Sequence, residues 1–388
     1  MSDVRIFVVA GEHSGDRLGG KLLAELRSRL GDRLKLAGVG AEDIERQGLK
    51  SLFPMDEIAV MGIGAVVRRL PSLLRRIRET AAAAVSFDPH VLVIIDSPDF
   101  THRVARAFKK LRPGTPVIDY VSPTVWAWRP GRAKMMTRSI DQVLALLPFE
   151  PEAHRRLGGP PCTYVGHPVV ERLPWIANLD PDELRARWGL DPEKKILVVL
   201  PGSRRTEVVA LMPVFAETIA RVEQQVGPLE LILPLVESVE PLVEAGLASW
   251  PHRPHIARGE ADKFSAFRLA DAALAASGTV TLELAAAGTP MVVGYIAQGV
   301  TRLIQPLIKV PSVVLANLIL GENAFPEFIQ AVCTPENLSR ELAPILVDGP
   351  ARQAQLAALA RIPALMAPPA TSPSAAAADV VMAAIRPA

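Results

Sequence analysis

Cysteine is nearly absent: Cys162 and Cys333 are the only two in 388 residues. They are far apart and match no metal-ligand spacing, and two thiols in so long a chain give no disulfide framework. A reducing compartment is therefore expected. An excess of one charge is lacking as well, with 43 Lys and Arg against 41 Asp and Glu for a formal net charge of +2. That balance excludes a global polyanion-binding signature, so nucleic acid is not an expected partner and basic function must come from local patches. Long hydrophobic runs are also missing. The longest, IAVMGIGAVV at 58–67, is about half of what a bilayer span needs. The apolar stretch IFVVA before Gly11 is too short for a signal-peptide core. The expected location is cytoplasmic, with contact at a membrane surface left open.

What is present is enough apolar material for large interiors, 49% of the residues, in a length suited to two domains. Short apolar runs alternate with helical patterns along nearly the whole chain. VRIFVVA, HVLVIID, PVIDYVS, QVLALLPF and CTYVG read as strands in the first half; KILVVLP, LELILPLV, AALAAS and PMVVGY do so in the second. Their continuous hydrophobicity implies sheets covered by helices on both faces, hence α/β, doubly wound. Prolines and an acidic restart in GHPVVERLPWIANLDPDEL (166–184) break the rhythm. The expected organisation is a first domain over 1–172, a second over 173–365, and an Ala/Pro-rich tail over 366–388 with a terminal helix after Ser374. Two such domains would face a cleft, and ligands of open α/β sheets bind outside the carboxyl ends of the strands.

The loops at those strand ends carry the chemistry. LPGSRRTEV ends a buried strand and opens a helix from about Thr206. Gly202 and Ser203 would turn backbone N–H groups outward, and Arg204 and Arg205 would add charge. A helix N-terminus attracts an anion by about 0.3–1 kcal/mol and each arginine hydrogen bond adds about 1.5–3, enough together for a diphosphate. The alternative is that both arginines lie on the surface and pair with Glu207 and its neighbours. ASGTVTLE has the same shape: Ser277, Gly278 and Thr279 precede a helix whose Glu283 could accept hydrogen bonds from a ribose diol. Simple helix capping is the competing reading there. In the first half, AGEHSGD offers Glu12, Ser14 and Asp16 to sugar hydroxyls but matches neither a dinucleotide fingerprint nor a nucleophile elbow. LVIIDSPDF places Asp96 at the end of a very apolar strand, partly desolvated, a setting that favours a general base. Asp99 reads as a turn holder, and no His or Glu cluster supports a metal at the D-x-x-D pair. YVSPTVWAWRPGR concentrates Trp126, Trp128, Arg129 and Arg132; it is either a wall for a sugar or acyl group or a packed loop. His167, in VGHP, reads as structural.

DEIAVMGIGAVVRRLPSLLRRIRET (56–80) is apolar and then basic. Ile58, Val60, Met61 and Ile63, followed by Arg68, Arg69, Arg75 and Arg76, suit an interfacial element on an anionic leaflet, with Pro71 separating two helical pieces. A helix packed on the sheet is the competing reading.

Taken together, AGEHSGD, EIAVMGI, IDSPDF, YVSPTVWAWRPGR, LPFE, VGHP, LPGSRRTEV, ASGTVTLE, MVVGY and NLILGEN resemble, in order, lipid-A-disaccharide synthase, the glycosyltransferase of the Gram-negative outer-membrane lipid pathway. The resemblance implies a GT-B-type fold of two Rossmann-like domains and inverting transfer with no cofactor and no metal. UDP-2,3-diacylglucosamine would be the donor and 2,3-diacylglucosamine 1-phosphate the acceptor, joined by a β-1,6 link in lipopolysaccharide synthesis. It places the base on Asp96 and the diphosphate-binding arginine on Arg204. It adds Asn317 to a donor set of Gly202, Ser203, Arg204, Ser277, Gly278, Thr279 and Glu283. Glu12, Ser14, Asp99, Trp126 and Arg129 fall on the acceptor side. It also implies peripheral attachment to the anionic inner-membrane surface; a homodimer is allowed. Thr101, Ala316 and Glu322 depart from the family pattern. Rival readings are a UDP-N-acetylglucosamine 2-epimerase, a lipid-linked N-acetylglucosaminyltransferase, and a non-catalytic nucleotide-sugar-binding or membrane-scaffold protein.

Overall fold

A computed structural model of the chain describes residues 3–58, 63–298 and 310–385, with 63–69 as backbone only. The chain divides into two compact units, residues 1–168 with 368–388, and residues 169–367. The first holds strands β1 (Val4–Ala10), β2 (Leu34–Val39), β3 (Val91–Ile95), β4 (Val117–Tyr120), β5 (Gln142–Ala145) and β6 (Cys162–Tyr164). The second holds β7 (Lys195–Leu200), β8 (Leu229–Pro234), β9 (His255–Ala257), β10 (Ala272–Ala276), β11 (Met291–Tyr295) and β12 (Glu327–Ile329).

Both sheets are parallel throughout their described pairings, in the orders β2-β1-β3-β4-β5-β6 and β12-β11-β10-β7-β8-β9. Parallel strands need helical crossovers that cover both faces, and this is why their sequences read as unbroken apolar runs. Every residue of β3 is buried. Each such Val, Leu or Ile contributes about 1.5–3 kcal/mol relative to exposure. The strand order reverses between β1 and β3 in the first sheet and between β7 and β10 in the second. A crevice opens at the carboxyl edge of such a switch point. The loops after these four strands are AGEHSGD, DSPDF, PGSRR and SGT, the same ones singled out by their chemistry.

The division falls before Val169 rather than near 172, and the reason is local. Pro168–Arg172 forms a short 3₁₀ turn across the division, and the Arg172 guanidinium lies over the rings of Trp175 and Phe264, 4.9 and 4.5 Å from their centroids. It also pairs with Glu260 at 2.6 Å. These contacts anchor the linker to the second unit. The tail returns to the first unit, where the helix Pro373–Ala384 packs along the helix His13–Leu30. There Arg29 bonds Asp379 at 2.5 Å and the Ala375 carbonyl at 3.2 Å.

One helix, Ile63–Phe87, runs through Pro71, where two helical pieces were expected. Pro71 is exposed, so the carbonyl that its missing N–H leaves unpaired can turn to solvent.

Candidate active site

In the first unit the site is built on a strained turn. Asp96 and Ser97, directly after β3, both take positive φ, 57° and 46°. That conformation costs an L-residue about 1–2 kcal/mol, less for Asp than for a branched residue. Buried Thr101 helps to hold it, donating its hydroxyl to the carbonyls of Asp96 at 2.8 Å and Ser97 at 3.1 Å. The Asp96 N–H reaches the Tyr120 carbonyl at 3.1 Å. Gly11 is required opposite, since a Cβ there would come within 2.2 Å of the Ser97 Cβ. The turn aims the carboxylate: Oδ1 accepts the Ser97 N–H at 2.7 Å and Oδ2 accepts the Ser14 hydroxyl at 3.1 Å. Asp96 and Ser14 thus come together as one group, with Glu12 directly before the helix that carries Ser14.

Four other residues of this set have partners of their own. Asp16 is buried and accepts the N–H groups of Ala41, Asp43 and Ile44 at 2.6, 2.9 and 3.3 Å. It ties the loop after β2 to the helix after β1 and is not offered to sugar hydroxyls. Asp99 pairs with Arg132 at 2.6 Å. Among the described residues, no three His, Cys, Asp or Glu side chains come together as a metal set. Trp126 packs edge-on against Phe149, ring centroids 5.0 Å apart, and donates its indole N–H to Glu150 at 3.1 Å. Arg129 lies over the Trp128 ring at 4.0 Å.

Glu150, marked in the sequence only by LPFE, is a buried carboxyl group beside these loops. Burial pushes its carboxyl up to about 7, although hydrogen bonds from the Leu147 and Leu146 backbone, Trp126 and Ser122 pull the other way. Ser122 also bonds the buried His154 ring at 2.9 Å, and burial lowers His154, so its neutral form is favoured. The two loops after β4 and β5 are therefore joined by one buried polar network. Because Glu150 keeps its proton longer in the folded protein than in the unfolded chain, it contributes stability below about pH 4.5 that is lost as pH rises through about 7. The loss reaches up to about 3 kcal/mol. Urea midpoints at pH 5 and pH 8 should differ less in Glu150→Gln than in the wild type; an equal difference would remove Glu150 as its source. His167 is pushed down to about 4 by burial, as befits a neutral structural histidine.

In the second unit, the loops after β7 and β10 line one cavity of about 620 Å³ that includes Gly202, Ser203, Arg204, Ser277, Gly278 and Thr279. Glu283 and Lys263 are on its wall and pair at 3.2 Å; Lys263 was not foreseen. Ser277 donates to the Val313 carbonyl at 2.9 Å, which fixes the rim. The helix Val280–Ala287 opens at this wall, bringing the positive end of its dipole. The other helix start differs from expectation. Glu207, three residues past Arg204, reaches back so that its Oε2 accepts the N–H groups of Ser203 and Arg204 at 3.1 and 3.3 Å. Its Oε1 accepts from the Arg204 guanidinium at 2.8 Å. The backbone donors expected to meet an anion are thus already capped by a buried carboxylate, as in a capping box. Asn317 is also placed elsewhere. It is buried, and its amide bonds Ser312 and both backbone groups of Phe325 at 2.9–3.2 Å, clamping the 312–325 loop.

The expected membrane residues separate similarly. Ile58 is buried in the core of the first unit. Arg76 is largely covered, bonds Glu57 and Glu79 at 2.6–2.9 Å and lies over Phe53. Glu57 and Glu79 lie near the two ends of the 56–80 segment and neutralise one of its arginines. Arg75 is exposed. Val60 and Met61, and the side chains of Ile63, Arg68 and Arg69, lie outside the described residues.

Two doubly wound units, each with its chemistry at the switch point, define a GT-B-type glycosyltransferase scaffold. Solved structures share this fold. A glycosyltransferase from Rickettsia africae is similar at TM-score 0.61 and 10% identity, covering 99% of this chain and 98% of that one. A UDP-GlcNAc 2-epimerase from Neisseria meningitidis, solved with UDP-GlcNAc, is similar at TM-score 0.59 and 12% identity, covering 98% and 99%. At such identities the likeness is one of fold.

Sequence similarity goes further. The Lipid-A-disaccharide synthetase family matches residues 6–378. Lipid-A-disaccharide synthase of Nitrobacter hamburgensis is 53% identical over 382 residues, 98% of this chain and 96% of that protein. The Rhodospirillum centenum protein of the same name is 41% identical over 383 residues, 98% and 95%. The chain belongs to the lipid-A-disaccharide synthase family, glycosyltransferases of lipid A biosynthesis.

Proposed function

We propose that this enzyme transfers 2,3-diacylglucosamine from its UDP conjugate to the 6-hydroxyl of 2,3-diacylglucosamine 1-phosphate, forming the β-1,6 disaccharide and releasing UDP. What supports this reading is an oriented carboxylate at the switch point of one unit and an arginine-bearing cavity at that of the other. Asp96 takes the proton of the acceptor hydroxyl while that oxygen attacks the donor anomeric carbon from the face opposite UDP, inverting it. The anomeric C–O bond breaks with its electron pair going to the diphosphate, and Arg204 and the start of the helix Val280–Ala287 stabilise that charge without a metal. Glu283, paired with Lys263 on the cavity wall, accepts from the ribose hydroxyls in this reading.

For attachment to the cytoplasmic face of the inner membrane, the support is the helix Ile63–Phe87. Leu70 and Leu74 are exposed there beside Arg75 and Arg78, apolar and basic groups together as an anionic leaflet requires. Among the described residues no helix is long and apolar enough to cross a membrane.

The test is UDP release from UDP-2,3-diacylglucosamine in detergent with EDTA, with and without acceptor. The expected result is acceptor-dependent release and a disaccharide product in mass spectra. Release without acceptor, a product other than the disaccharide, or loss of activity in EDTA would each defeat the corresponding part of this reading.

A further inference from the structure

A second cavity, of about 230 Å³, adjoins the Asp96 turn and has two unlike ends. One end is apolar, walled by Ile58, Leu73, Leu74, Ile77 and Phe100. The other is polar, with Ser97, Asp99 and Glu12 on its rim and Arg103 beside them. Ser97 is the residue whose N–H holds the Asp96 carboxylate, so the polar lining is one residue from the candidate base. Protein interiors close around voids of this size, because apolar walls without partners forfeit dispersion contacts. Here Ile58, Ile77 and Phe100 form a buried floor, while Leu70 and Leu74 on the outer edge stay 42% and 38% exposed. The space is thus lined on one side like a core and open on the other.

We infer that this cavity holds a fatty acyl chain of the acceptor, with the sugar at its polar end. The inference rests on the proposed reaction, which puts a diacylated sugar at Asp96. An amphiphile whose hydroxyl must reach Asp96 has its alkyl part within range of the apolar wall, and this wall adjoins the turn itself. The acceptor is the occupant because the cavity lined by Arg204 and Lys263, proposed for the donor, belongs to the other unit. Ile58, whose burial removes it from the membrane face, gains a role as the floor of the chain site.

The test is kcat/KM for a ladder of acceptors of increasing acyl length in detergent, for wild type, Leu73→Trp and Leu73→Ala. Leu73 is a partly buried wall residue, so Trp fills the space and Ala enlarges it. In the wild type each added methylene should raise kcat/KM about fourfold until the cavity is full. Leu73→Trp should reach its ceiling at shorter chains, losing about tenfold or more on long acceptors and least on the shortest. Leu73→Ala should shift the ceiling the other way, so a poorly folding Trp variant leaves the direction measurable. One and the same length profile in all the folded proteins would overturn the chain site while leaving the transfer reaction standing. So would an unchanged profile accompanied by reduced sedimentation with anionic phospholipid vesicles, which would make this face a membrane contact. If no acceptor yields disaccharide although UDP still binds, the reaction itself fails and the chain site falls with it.

Discussion

Asp96→Asn should abolish most turnover, lowering kcat by about 10²–10⁴-fold, while leaving the fold and UDP affinity unchanged. The structure makes this substitution unusually clean. Asp96 lies at φ 57°, a region that Asn tolerates as well as Asp. The Asn side-chain oxygen can still accept the Ser97 N–H now bonded to Oδ1. What is lost is the basic oxygen that accepts from Ser14, hence the proton acceptor for the attacking hydroxyl. Thr101 and Gly11 continue to define the turn from outside. Melting temperature and UDP calorimetry serve as controls, and steady-state kinetics gives the answer. Wild-type turnover in the variant would show that the base lies elsewhere, whereas a lowered melting temperature together with lost activity would return Asp96 to a structural role.

The long apolar strands could be read directly, because a parallel strand covered on both faces leaves its burial in its composition. VRIFVVA, HVLVIID and KILVVLP are such strands, and they appear as β1, β3 and β7. Three edge strands carried no such mark. β2, LKLAGV, has Lys35 exposed and a glycine at φ 145°, while β9 and β12 are three residues long. Edge strands bury less of themselves, so periodicity and hydropathy both weaken there. The loops were legible for a different reason. Chemistry-bearing residues directly after a buried strand can face only the carboxyl edge of the sheet, and the switch-point topology then gathers the right pairs of loops.

Individual side chains were legible only where no neighbour outbid the ligand. Asp16, Asn317 and Arg76 all have suitable functional groups, yet each meets partners outside its own motif: the 41–44 backbone, Phe325, and Glu57. Polar groups that become buried must be satisfied within the fold, and which partner does so depends on tertiary contacts that a linear pattern does not contain. Glu207 is the instructive case. Its place three residues after Arg204 is the spacing of a helix cap, and that local rule took precedence over the anion site written in the same residues.

Arg204→Ala should reduce kcat by about 10²–10³-fold and weaken UDP binding by about tenfold to a hundredfold. In the structure Arg204 is bonded to Glu207, and the question is whether that pair would keep it from a diphosphate. Its side chain is 62% exposed and that of Glu207 is 6%; solvent screening at the exposed guanidinium weakens the pair, and the buried carboxylate would keep its two backbone donors. A charge-assisted bond to a diphosphate is worth about 1.5–3 kcal/mol, so the ligand wins and Arg204 turns from Glu207 into the cavity. Glu207 then still has the Ser203 and Arg204 N–H groups, and the helix start remains capped. This separation of duties makes a second substitution informative. Arg204→Lys keeps the charge but loses the fork that can grip two oxygens, so it should recover UDP affinity more fully than turnover. Glu207→Gln, by contrast, should mainly lower the melting temperature. Equal UDP affinity in wild type and Arg204→Ala would remove Arg204 from the diphosphate site and leave its charge to Lys263 and the helix Val280–Ala287.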